Sequence, residues 1–72
     1  MVHLTTLQKK KLFVSAYKKA KATGKTGEEL LDEVFANVED TYDKLDPEYG
    51  LTLNEQLEFD KHWTRWMREM NM

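Results

Sequence analysis

A compact all-α bundle of three helices is the fold this sequence predicts, and three observations carry that prediction. Three stretches place apolar residues at helical spacing, two sets of breakers separate them, and no run alternates apolar and polar residues as a strand would. One Pro and three Gly are too few turn-formers for a many-stranded sandwich or barrel. With 72 residues, positions 1–72 make one small helical domain. Cysteine is absent, so neither a disulfide nor a thiolate metal site supports the fold.

The first helix is expected over about residues 4–22, with Thr5 or Thr6 as its N-cap. Leu12, Phe13, Ala16, Tyr17 and Ala20 make one apolar face, while Leu7 and Val14 project to the other side among lysines. Thr23-Gly24-Lys25-Thr26-Gly27 ends it, Gly24 suiting the left-handed residue that closes many helices. The second helix is expected over about 27–45, opened by a capping box at Thr26-Gly27-Glu28-Glu29. Leu30, Leu31, Val34, Phe35, Val38, Tyr42 and Leu45 share an arc of roughly 140° on it. Asp46-Pro47-Glu48-Tyr49-Gly50 breaks the chain again, because Pro47 disfavours helix at Asp46 and Gly50 permits a tight turn. A second box, Thr52-Leu53-Asn54-Glu55, opens a third helix over about 52–70. There Leu53, Leu57, Phe59, Trp63, Trp66, Met67 and Met70 cover roughly 180°, wider than the ~100° stripe a surface helix needs.

Charge is segregated along the chain although the net value is only −2. The lysines gather in residues 1–25, the acids in 26–60, and Lys61, Arg65 and Arg68 follow near the end. Most of this is the sorting that helix dipoles favour, acids at the start of a helix and bases at its end. Lys9, Lys10 and Lys11 escape that explanation. With Lys18 they form the stretch a nucleic-acid phosphate backbone would meet, although the block lacks Arg and the calculated pI is 5.6.

Catalytic and metal chemistry find little to work with. Gly24-Lys25-Thr26 has the spacing that ends a phosphate-binding loop, but position 19 holds Lys where that loop needs Gly. His3 and His62 are the only histidines, and Glu58 with His62 reads as a solvated i, i+4 contact rather than a metal site. Ser15 has no base within evident reach. The expectation is a non-enzymatic protein with no cofactor, no metal and no small-molecule substrate. Met1-Val2-His3-Leu4 shows no apolar leader and no 18 apolar residues run together, so a cytoplasmic protein without a membrane span is expected.

What remains is interaction. Phe59, Trp63, Trp66, Met67 and Met70 are expected to anchor a protein partner or a second copy of the chain, with Arg65 and Arg68 at their rim. Asp32, Glu39, Asp40 and Asp43 offer a field that would steer a basic partner. The function expected is that of a small adaptor, inhibitor or regulator working through a helical surface. Its rivals are a nucleic-acid-binding protein using the lysine-rich first helix and a structural homo-oligomer subunit.

Overall fold

The computed structural model describes residues 3–70 as three α-helices: α1 (Thr6–Lys21), α2 (Gly27–Leu45) and α3 (Leu53–Met70). The expected all-α bundle is what forms, and no strand occurs among the described residues. Helix bounds fall within two residues of those the breakers predict, since Gly24 and Gly50 adopt φ of +84° and +60°, where only glycine is unstrained.

Capping departs from the sequence reading. The full reciprocal box is at α1: Thr5 Oγ1 accepts the Gln8 N–H at 3.1 Å, and Gln8 Oε1 accepts the Thr5 N–H at 2.8 Å. At Thr26 the expected box is missing, because the chain enters α2 through Gly27 at φ +62° and no side chain caps the helix. At Thr52 half a box forms. Its hydroxyl oxygen accepts the Glu55 N–H at 3.4 Å, while its proton goes to Glu55 Oε1 at 2.8 Å, leaving that carboxylate turned from the backbone. Between α2 and α3 the Asp46 carbonyl accepts from the Gly50 N–H at 2.7 Å and its carboxylate from the Tyr49 N–H at 3.2 Å, which closes the turn after Pro47.

The short link at residues 22–26 folds α2 back along α1, where Phe13 meets Phe35 with ring centroids 6.0 Å apart. Buried Asn37 crosses the same interface and donates from Nδ2 to the Ala16 carbonyl at 3.2 Å. Helix α3 returns in the direction of α1: Leu4 lies beside Thr52 and Asn54 across one cleft, Lys9 pairs with Glu58, and Phe13 packs on Trp66. Helices α2 and α3 do not touch along their backbones, no Cα of one coming within 8 Å of the other. Side chains bridge them instead, as where Tyr42 meets Phe59 edge to face at 6.0 Å.

The core is Phe13, Ala16, Tyr17 and Ala20 from α1, Val34, Val38 and Tyr42 from α2, and Phe59 and Trp66 from α3. Phe13 is its hub, with Phe35, Phe59 and Trp66 all within 6.4 Å of its ring. Leu45, expected on the inner face of α2, is 49% exposed at the helix end.

Candidate functional site

The candidate anchors on α3 divide into two groups. Phe59 and Trp66 are 0% and 3% exposed, so the expectation that they reach a partner is corrected. Their rings face Phe13, with Trp66 5.6 Å from it and 5.7 Å from Phe59, and the subunit itself encloses them. Trp63, Met67 and Met70 are half-buried against that core, while Arg65 and Arg68 are exposed. The side of α3 that lies open is the one bearing Leu53 and Leu57, 70% and 55% exposed.

These two leucines belong to a larger grouping. Among the described residues, the large apolar side chains standing in solvent are Leu7, Leu45, Tyr49, Leu53 and Leu57, at 49–70% exposure. Leu7 lies in the first turn of α1, Leu45 ends α2, Tyr49 sits in the connection, and Leu53 and Leu57 fall in the first two turns of α3. Because α1 and α3 run alike and α2 runs against them, these positions lie toward one end of the molecule. The opposite end carries the link at residues 22–26, and every residue from Lys21 to Glu29 there is exposed, all of them polar or glycine except Ala22. The protein therefore has a greasy pole and a polar pole. Leu4 and Leu51 are half-buried against the core. Sequence reading placed Leu53 and Leu57 on the broad apolar arc but not among the anchors. The position of the partner helix, absent from a helical wheel, decides which part of an arc is covered.

The lysine stretch is also corrected in part. Lys9 is 8% exposed and pairs with Glu58, and Lys10 pairs with Glu69, so neither presents a free ammonium to a phosphate backbone. Lys11 and Lys18 stay exposed. Lys9 follows from the sequence after the fact, because 9, 13, 16 and 20 share one face of α1. The acids Asp32, Glu39, Asp40 and Asp43 are exposed as expected of a solvated face. Between α2 and α3, Asp32, Glu39 and Asp60 rim a cleft of about 320 Å³ floored by Phe35 and Leu51.

The two α1–α3 ion pairs set an acid limit. The Lys9 ammonium, by its hydrogen bond and its charge, holds the Glu58 carboxyl below its usual value, with His62 and Lys61 adding to the pull. Lys10 does the same for Glu69, with Arg65 adding. Each folded pKa lies below its unfolded value near 4.5, so this contribution is complete above that pH and is lost as pH falls below it. Thermal melts should hold a steady midpoint from pH 8 to pH 6 and drop below about pH 4.5, with a shallower drop for Lys9→Met. An acid limb identical in the variant would show that the Lys9–Glu58 pair does not couple to folding.

Beneath the Glu55–Glu58 side of α3 lies the Tyr42 hydroxyl, fully buried and without a hydrogen-bond partner among the described residues. Burial first, then the Glu55 and Glu58 carboxylates, keep it protonated far beyond the usual tyrosine range. The Glu55 carboxylate also accepts the Thr52 hydroxyl proton. Among the described residues no group of three or more His, Cys, Asp or Glu converges as metal ligands would, and no helix is long and apolar enough to cross a membrane.

Comparison with protein-family models, with curated proteins and with solved structures finds no match to this chain.

Proposed function

We propose that this protein is a small non-enzymatic interaction module, an adaptor, inhibitor or regulator, that engages another protein surface through its greasy pole. The observation that carries this reading is the gathering of Leu7, Leu45, Tyr49, Leu53 and Leu57 at one end of the bundle. Leu53 and Leu57 stand one turn apart on the same side of α3, 70% and 55% exposed, and at roughly 200 Å² for a fully exposed large side chain this pair alone leaves on the order of 250 Å² open. Arg68 is exposed and Trp63 and Met67 are half-buried further along α3. A cytoplasmic setting accords with the absence of cysteine.

A dye that fluoresces on apolar surface tests this reading. At low micromolar protein the wild type should enhance its emission, and Leu53→Gln/Leu57→Gln should remove most of the enhancement while circular dichroism stays unchanged. Both leucines are exposed and Gln is a good helix former, so the pair of substitutions spares the fold. Equal emission from the wild type and the double variant would overturn the assignment of the pole.

A further inference from the structure

We infer that copies of this chain join side to side, the outer ridge of α1 on one copy lying in the cleft between α2 and α3 of the next. The ridge follows from helical spacing. Leu7, Lys11, Val14, Lys18 and Lys21 recur at steps of four and three residues, so they form one line along α1. All are exposed except half-buried Val14, and among the described residues no carboxylate pairs with Lys11, Lys18 or Lys21. The cleft has the complementary make-up. Asp32 and Glu39 stand on its α2 bank and Asp60 on its α3 bank, over a floor of Phe35 and Leu51. Among the described residues none of the three carboxylates is in an ion pair, and the remaining lining residue is the neutral Gln56. The neighbouring bases are engaged or distant: Lys25 is held by Glu33 at 3.1 Å, Lys61 and His62 act on Glu58, and Arg65 acts on Glu69. Lys44 and Arg68 lie in the last turns of their helices.

The two faces also match in spacing. Lys11 and Lys18 are seven residues apart with Val14 three residues after the first, and Asp32 and Glu39 are seven apart with Phe35 three after the first. On a helix each pair of charges is about 10 Å apart, so a lysine can meet a carboxylate at both positions while Val14 lies over Phe35. Neither face suits its own image, because a row of ammoniums or of carboxylates repels a like row, but each suits the other. The fold sets them back to back. Phe13 meets both Phe35 and Phe59, so α2 and α3 lie on one side of α1 with an open seam between their backbones. The ridge is turned away from Phe13 and so from that seam. A contact between two different faces on opposite sides does not close on a pair, so assembly continues to a third copy and beyond.

Sedimentation velocity of the full chain at about 5 and 500 μM, in about 20 mM salt, tests the inference. The wild type should grow past dimer as concentration rises and return toward monomer in about 500 mM salt. Two triple variants, Asp32→Asn/Glu39→Gln/Asp60→Asn and Lys11→Gln/Lys18→Gln/Lys21→Gln, change only exposed side chains, so their circular dichroism should match the wild type. Each alone should stay monomeric, with association weakened at least about tenfold. Mixed, they should form a one-to-one dimer that grows no further, because one keeps the ridge and the other the cleft. Glu29→Gln/Asp40→Asn/Glu48→Gln makes the same change of net charge off the cleft and should assemble like the wild type. A wild type monomeric at both concentrations overturns the inference, and so does a mixture that stays monomeric. Assembly of either triple variant alone at wild-type strength overturns it as well, as does equal loss in the off-cleft control. Leu53→Gln/Leu57→Gln should assemble normally. If those substitutions abolish assembly, the pole makes the contact and the inference fails while the interaction reading of the pole stands.

Discussion

Phe13→Ala is expected to cost this protein most of its stability. The ring is fully buried, and it is the point where all three helices meet, with Phe35 of α2 at 6.0 Å and Phe59 and Trp66 of α3 at 6.4 and 5.6 Å. Truncating a buried Phe costs about 3–5 kcal/mol, from lost transfer energy and the cavity left behind. A domain of this length has a total of about 4–10 kcal/mol to lose. The midpoint of thermal unfolding should therefore fall by about 20 °C, followed by circular dichroism. A fall of less than about 5 °C would mean that α1 and α3 are held together by something other than this aromatic cluster.

Trp66→Ala and Trp63→Ala should behave differently although the residues are one helical turn apart. Trp66 is 3% exposed between Phe13, Phe59 and the stacked ring of His62, so its loss should cost about 3–5 kcal/mol and leave a weakly folded chain. Trp63 is half-buried at the margin of that cluster and should cost about 1–2 kcal/mol. Urea titrations of the two variants measure the gap. Fluorescence gives an independent reading: emission of Trp63→Phe, reporting Trp66 alone, should lie to the blue of emission from Trp66→Phe. Equal costs and coincident spectra would contradict the division of α3 into an enclosed ridge and an open edge.

That division marks how far the sequence alone reaches. The three helices were legible because their limits depend on local chemistry: Gly24 and Gly50 take left-handed φ, and Pro47 follows Asp46, the residue that caps α2. The buried faces of α1 and α2 were legible from period for the same reason, except at the edges. Asn37 sits beside Leu30 on the helical wheel, and only the approach of the Ala16 carbonyl makes it an inside residue. The candidate site was less legible. A wheel shows that Leu53, Leu57, Phe59, Trp63 and Trp66 share half of α3, but the neighbour's position decides which quarter is covered. Here α3 packs its backbone against α1 and stands off from α2, so Phe59 and Trp66 turn inward and Leu53 and Leu57 remain outside. Ring size was the one available signal, since large aromatics fill small cores first. Nothing in the linear sequence says that Leu7, Leu45 and Leu53 share an end, because the up-down-up path of the chain brings them there.

The pole itself is the claim on which the rest depends, and methyl NMR with a soluble nitroxide tests it most directly. In dilute protein the nitroxide should broaden the Leu7, Leu45, Leu53 and Leu57 methyl signals strongly and spare those of Val34 and Val38. Leucine methyls as sheltered as the valines in dilute solution would contradict it.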